Sequence, residues 1–155
     1  MNLTEKIKWH IKWQIEKAKD NVVYAIETFE ENLLVNTGIG LLEDLLIGAG
    51  GTVFNNANSH IGVGDSTTAA AASQTDLQAA TNKLRKAMEA TFPSRASQTL
   101  SFKSVFGTSD ANYAWEEFGI FNAAAAGTML NRKVENKGTK ASGETWTITV
   151  TVTIS

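Results

Sequence analysis

The stretch ETWTITVTVTIS, residues 144–155, decides the fold class. From Trp146 to Ile154 every second residue is apolar, and all four positions between are threonine. Successive side chains of a β-strand point to opposite faces, so this alternation is typical of a strand with one face buried. The segment therefore predicts a sheet that packs on a core with one side and meets solvent with the other.

The N-terminal segment repeats this pattern. Residues 7–15, IKWHIKWQI, alternate apolar and polar side chains, which predicts a second strand. A helix could align the isoleucines, but it would then expose Trp9 or Trp13. Asp20 and Asn21 predict a turn, and the β-forming residues 22–29 could return as the partner strand of a hairpin.

One helix is predicted, at about residues 37–47. Leucines recur at helical spacing in NTGIGLLEDLLI, residues 36–47. Asn36 or Thr37 could cap its start, and Gly48 could end it.

The rest of the chain favours strands and turns. Residues 48–59 and 65–76 have the composition of loops, and residues 82–92 suit a helix or a strand. Further strands are predicted at residues 60–64, 98–107, 113–121 (with a bulge at Glu116-Glu117) and 129–134. This spacing predicts a mainly β protein, a β-sandwich or jelly-roll-like domain with one short helix.

The chain length indicates one domain. Its 155 residues show one composition and no linker, so residues 1–155 are expected to form a single unit. Residues 1–31 are expected to form an extended N-terminal arm or a hairpin. Residues 32–155 would then form the sandwich body.

The composition argues against several functional classes. Cysteine is absent and there are two histidines, so we predict no thiolate chemistry and no metal ligands. The formal net charge of −2 makes nucleic acid an unexpected partner. No apolar run approaches the roughly 18 residues of a membrane span, and the first residues lack the apolar core of a signal peptide. A protein made in the cytoplasm, with no membrane partner, is expected.

The sequence contains no convincing catalytic motif. Gly64-Asp65-Ser66 is a triplet found in some serine hydrolases, but no histidine follows His60 to act as the base. Glu116 and Glu117 are adjacent, so in a strand they would point to opposite faces and could not act together. They are predicted to be solvated or paired across strands. We therefore predict no catalytic residues, no cofactor and no enzymatic activity.

Two clusters could serve binding. Four tryptophans could form a carbohydrate platform, although their positions on apolar strand faces favour the core: Trp9, Trp13, Trp115 and Trp146. One strand face carries a basic stripe: Lys6, Lys8, His10 and Lys12, with Lys17 and Lys19 beyond it. The stripe could meet nucleic acid, but a solvated stripe, or one paired with Glu27, Glu30 and Glu31, is preferred.

Five stretches in order resemble a known family. They are NLLVNTGIGLLEDLLIG, NNANSHIGVGDSTTAA, QTDLQAATNKLRKAM, FGTSDANYAWEEFGIFNA and LNRKVENKGTKASGETWTITVTVTIS, within residues 32–155. Taken together, they resemble small virion structural proteins of tailed bacteriophages and prophages. Residues 1–31 fit this family more loosely. The family has no catalytic residues, so none are carried over.

The resemblance implies a structural protein that is present in multiple copies in the virion and is made in the cytoplasm of the bacterial host. The first expectation is a capsid decoration, or cement, protein that bridges subunits of the major capsid protein. The alternative is a tail or tail-fibre-associated protein that contacts other virion proteins and could bind a receptor or a glycan. Either would be a homo-oligomer, expected as a dimer or trimer.

Three segments are expected to contact partners. The N-terminal arm would reach a neighbouring chain by adding a strand to it, and two loops would supply further contacts. The candidate residues are Lys6, Lys8, His10 and Lys12 in the arm, Asn55 and Asn56 in one loop, and Thr67 and Thr68 in the other. Deleting residues 1–19 is then expected to abolish particle binding while leaving a folded domain.

Overall fold

The computed structural model describes residues 7–155, which form ten strands and one helix. The elements in chain order are β1 (Trp9–Lys19), β2 (Val22–Glu30), β3 (Leu33–Leu34), α1 (Asn36–Ile47), β4 (His60–Gly64), β5 (Lys83–Ala87), β6 (Ser94–Ala96), β7 (Thr99–Phe106), β8 (Glu117–Phe121), β9 (Met129–Val134) and β10 (Glu144–Ile154).

The strands form two five-stranded antiparallel sheets. Sheet A has the order β2-β1-β10-β7-β6, and sheet B has the order β3-β9-β8-β4-β5. Buried apolar side chains of both sheets make one large cluster, which includes Trp13 and Trp146 from sheet A and Phe118 from sheet B. The predicted mainly β, sandwich-like class with one short helix is confirmed.

β10 lies at the middle of sheet A, as expected for the clearest alternating segment. It pairs with β1 over eleven residue pairs, from Trp9 opposite Ile154 to Lys19 opposite Glu144. On its other side it pairs with β7. Its residues Trp146, Ile148, Val150 and Val152 are at most 2% exposed, so the predicted inward face is the buried one.

The N-terminal segment is a hairpin, and the expectation of an arm that reaches out from an independent body is wrong for residues 9–30. β1 lies between β2 and β10, so both of its edges are hydrogen-bonded within sheet A. Ile11, Trp13 and Ile15 on its inner face are at most 2% exposed. An alternating strand with large apolar side chains gains more by entering the core than by extending into solvent.

The hairpin turn lies where the sequence placed it. Asp20 and Asn21 join β1 to β2, with φ angles of 50° and 61°. Two consecutive positive φ angles match the twist of a two-residue hairpin, and Asp and Asn tolerate this conformation better than most residues do. A register shift in the pairing of β1 with β2 precedes the turn, at Lys17 and Ala18.

The helix matches the prediction except at its cap. α1 begins at Asn36, and Val35 is its N-cap residue without a side-chain hydrogen bond, so the predicted capping by Asn36 or Thr37 is wrong. Gly48 ends the helix with φ at 72°, as predicted. The helix lies close against β9, because a Cβ on Gly38 would stand 2.5 Å from the carbonyl oxygen of Leu130.

Strand pairing decides the secondary structure of segments that the sequence left open or assigned wrongly. Residues 83–87 of the ambiguous segment form β5, which pairs with β4 in sheet B. The predicted bulge at Glu116-Glu117 is wrong, because β8 begins at Glu117 and the irregularity in its pairing with β9 lies at Ile120 and Phe121. The short strands β3 and β6 were not predicted.

Deletion of residues 1–19 tests the position of β1. Because this removes a central strand with three core side chains, we expect loss of the cooperative thermal transition measured by circular dichroism. The control is Lys12→Ser, an exposed change in the same strand that should alter the free energy of unfolding by less than about 0.5 kcal/mol. A truncated chain that still unfolds cooperatively would contradict this account.

Candidate contact surfaces

The basic stripe lies on the outer face of sheet A. Lys8, His10 and Lys12 are exposed, because they alternate with the inward side chains of β1. His10 Nε2 lies 3.7 Å from a carboxylate oxygen of Glu30 in β2. Lys6 lies outside the described residues. The preferred interpretation, a solvated stripe paired in part with the hairpin's own acidic residues, agrees with this geometry.

Lys17 belongs to the interior rather than to the stripe. It is 6% exposed, and its Nζ donates to Glu27 at 2.5 Å and to the carbonyl oxygen of Lys137 at 2.6 Å. The same ammonium group lies 4.2 Å from the centre of the Trp146 ring, a cation–π distance. The predicted partner Glu27 is confirmed, and this lysine connects the hairpin to the segment after β9.

Asn55 and Asn56 are exposed, but their polar atoms hold the loop in place. Asn56 Nδ2 donates to the carbonyl oxygens of Glu89 at 3.0 Å and Phe92 at 2.6 Å. Asn55 Oδ1 accepts from the backbone N–H of Asn58 at 3.0 Å. The Asn56 bonds attach the loop to the segment after β5 and the Asn55 bond closes a turn within it, so any contact here would be made by a pre-ordered surface.

Thr67 and Thr68 lie on a different surface. Both are exposed, and Thr67 lines an open groove together with residues 31–33 and Val134. The carbonyl oxygen of Thr68 accepts from Arg132 Nη1 at 2.8 Å. The second loop is therefore anchored to sheet B by a charged side chain that the sequence analysis did not single out.

That side chain belongs to a buried ion pair. Arg132 and Glu117 are both 0% exposed, and Glu117 Oε2 accepts from Arg132 Nε at 2.9 Å and Nη2 at 2.7 Å. The carboxylate also accepts from the backbone N–H groups of Gln78 and Ala79, at 2.8 Å each. Arg132 Nη1 reaches Gln74 Oε1 at 3.0 Å. Buried charges persist when they are paired and hydrogen-bonded in this way.

The neighbouring carboxylate has a different environment. Glu116 is partly exposed and accepts from Asn136 Nδ2, while Glu117 is buried on the other side. The two carboxylates therefore lie in separate environments, as their predicted orientation to opposite faces requires. The Gly64-Asp65-Ser66 triplet also has a packing role, since a Cβ on Gly64 would stand 2.5 Å from Glu117 Oε1.

Two partly exposed ion-pair sites lower the pKa of the carboxyl groups in them. The hydrogen bond from Lys86 is the main reason that the pKa of Asp110 is lowered, against the opposing effect of burial. At Asp76, desolvation raises the pKa, but hydrogen bonds from Lys83 and Arg85 outweigh it and the net shift is downward. Folding therefore stabilises the ionised form of both carboxyl groups.

An apolar cavity opens at one end of the sandwich. Trp13, Trp115 and Trp146 are buried as predicted, but Trp9 is only half-buried and lines this cavity of about 170 Å³. Phe54 lines it as well. Through Trp9 and Phe54, the start of β1 and the first loop both line this cavity, whereas His10 points to the outer face of sheet A. Spacing along the chain could not reveal this, since the two segments are distant in sequence.

Comparisons with protein-family models, with characterised proteins and with solved structures found no match. In residues 7–155 no group of three or more potential metal-ligating side chains was found. The helix of the described part of the chain is not of a length and apolarity that could cross a membrane.

Glu117→Gln tests the buried ion pair. Removing one charge leaves Arg132 buried without its counter-charge, which should reduce the free energy of unfolding by about 3–5 kcal/mol. The matched control is Glu116→Gln, for which we expect a change of less than about 0.5 kcal/mol. Chemical denaturation measures both, and equal effects of the two substitutions would contradict the assigned role.

Acid unfolding tests the Asp110–Lys86 pair. The unfolded carboxyl titrates near 3.8, and the folded pKa is lower, so the stabilisation is present above pH 3.8 and is lost as the pH falls through the folded pKa. Asp110→Asn should therefore flatten the fall in unfolding free energy between about pH 4 and pH 2. Urea titrations across this range measure the slope, and parallel curves for the two proteins would refute the coupling.

Proposed function

We propose that this protein is a non-enzymatic structural component of a tailed-bacteriophage particle, and that it acts as a decoration protein on the capsid. The phage assignment is supported by the ordered resemblance of residues 32–155 to small virion structural proteins. The single structural observation that carries a binding role is the open end of the sandwich. There, an apolar cavity opens beside the edge strand β6, whose exposed residues Ser94 and Arg95 line it.

The chemistry of this end suits contact with protein. Ser94 and Arg95 are exposed and line the opening, and the exposed Asn55 and Asn56 follow the lining residue Phe54 in the chain. An apolar centre with a polar rim is the usual composition of a protein–protein interface. Asparagine side chains that already hold their loop lose little conformational freedom on binding.

The decoration role would follow from mass action. A protein that binds only the assembled capsid lattice stabilises that lattice in proportion to its affinity and concentration. Because β1 is enclosed in sheet A, we propose that the contacts come from the rigid end of the sandwich and the two loops, rather than from an N-terminal arm. The partners would be the major capsid protein and further copies of this chain, as a dimer or trimer.

Cryo-electron microscopy of purified particles tests this proposal. Copies distributed over the icosahedral shell are expected. Copies confined to the tail would replace the decoration role by the tail-associated alternative. Absence of the chain from purified particles would overturn the virion proposal altogether.

A charge reversal tests the proposed contact end. Lys8→Glu should weaken binding to particles depleted of this protein by roughly 5- to 30-fold, because Lys8 is exposed and directly precedes Trp9, which lines the opening. The matched control is Lys19→Glu, an exposed change at the far end of β1 that should leave binding unchanged. Equal binding by both variants would exclude this end as the contact, as measured by co-sedimentation.

A further inference from the structure

The cavity at the open end has the size and chemistry of a side-chain pocket. Its volume is about 170 Å³, and buried Phe102, Leu130 and Val152 lie among its lining residues. An apolar cavity of roughly 150 Å³ in another protein is large enough to hold a benzene ring. One aromatic ring or one branched aliphatic side chain would therefore fit this space.

The mouth of the cavity is apolar as well. Trp9, Leu42, Phe54 and Leu100 line it, and each is only partly buried although all four side chains are large. Partly exposed apolar groups around one concavity gain free energy when an apolar group enters and excludes water. The lining thus favours an apolar occupant over a polar one.

One side of the cavity opening is formed by the edge of a sheet. Ser94 and Arg95 of β6 line the cavity, and β6 is the end strand of sheet A in the described part of the chain. The backbone groups on the outer side of an edge strand can pair with an added strand. Only a polypeptide can use these groups and the cavity together, so the edge favours a peptide segment over a free small molecule.

Arg95 indicates which side chain the bound peptide should carry in addition to its apolar one. It lies opposite Leu100, which lies opposite Val152, so all three residues belong to the inner row of sheet A. Arg95 is exposed, and its Nη1 donates to the carbonyl oxygen of Ser97 at 2.6 Å. A strand added next to β6 would place one of its inward side chains opposite Arg95, where a carboxylate would form a charge-assisted pair.

The spacing of the two features follows from strand geometry. Side chains two residues apart lie on the same face of a strand, about 6.8 Å apart along it. We propose that the cavity and β6 bind an extended segment of a partner polypeptide in which an apolar side chain and a carboxylate are separated by one residue. This inference does not depend on the proposed role in a virion.

Two short peptides test the proposal. Acetyl-Thr-Phe-Thr-Glu-Thr-amide and its reversed order, acetyl-Thr-Glu-Thr-Phe-Thr-amide, present the two side chains in both strand directions. At least one should give saturable chemical-shift changes at the cavity residues in nitrogen-15 NMR spectra. Replacing Phe by Ala, or Glu by Lys, should weaken binding at least tenfold. Placing Phe and Glu at adjacent positions should do the same, since they would then point to opposite faces.

Protein variants locate the binding site. Val152→Phe fills the cavity and should abolish binding, while Val22→Phe makes the same change at an exposed position in the distant hairpin and should not. Should Val152→Phe fail to fold, Leu100→Phe at the partly buried mouth replaces it. Arg95→Gln should weaken binding of the Glu peptide to the level of its uncharged analogue. Peptide binding that is unaffected by all of these cavity and Arg95 variants would overturn the proposal.

Two other occupants give distinct outcomes. If toluene shifts the cavity resonances but no peptide does, the polypeptide proposal is wrong, and Arg95 acts as an inward charge that discourages pairing at a sheet edge.

The chain's own Leu3 and Glu5 are also an apolar side chain and a carboxylate separated by one residue. If peptides bind only to the full-length Leu3→Ser/Glu5→Ser variant, the N-terminal residues compete for the pocket, and a partner polypeptide is excluded as its principal occupant.

Discussion

The pairing of β1 with β10 is the constraint on which the rest of the structure depends. It joins the beginning of the described chain to its end over eleven residue pairs at the centre of sheet A. In the described part of the chain β2 pairs with β1 alone, and β7 lies on the other side of β10. Such non-local pairing requires closure of a long loop, so its stability must come from the apolar rows that the two strands bury together. Neither terminal strand is therefore an appendage that could be exchanged or removed.

The Glu117–Arg132 pair plays the corresponding part in sheet B. Its hydrogen bonds extend to Gln74, to the backbone of residues 78–79 and to the carbonyl oxygen of Thr68, so one buried network holds a long loop against the sheet. A loop rich in alanine and threonine has little apolar surface with which to hold itself. Charged groups can do so because the Glu117 and Arg132 side chains are buried, and electrostatic interactions are stronger away from water. The exposed Thr67 surface depends on this network for its shape.

Prediction succeeded where one segment carried its own periodic signal. The alternation in β1 and β10, the turn at Asp20-Asn21 and the helix end at Gly48 were all predicted, because each depends on local backbone geometry. It failed for β3 and β6, whose two and three residues are too short to show a period and exist through pairing with β9 and β7. The predicted cap of α1 was also wrong, because the helix begins at Asn36 with Val35 as its N-cap residue, next to the close contact of Gly38 with β9.

The sequence by itself determined that this chain is mainly β, with one helix and with tryptophans directed largely inward, because side-chain periodicity and turn chemistry act over a few residues. Only the tertiary structure decided that β1 is an inner strand, that Glu117 meets Arg132, and that Trp9, Phe54 and Arg95 surround one cavity. These residues come from segments distant along the chain. Their proximity follows from sheet order and register, which depend on the summed burial of both sheets rather than on any single segment.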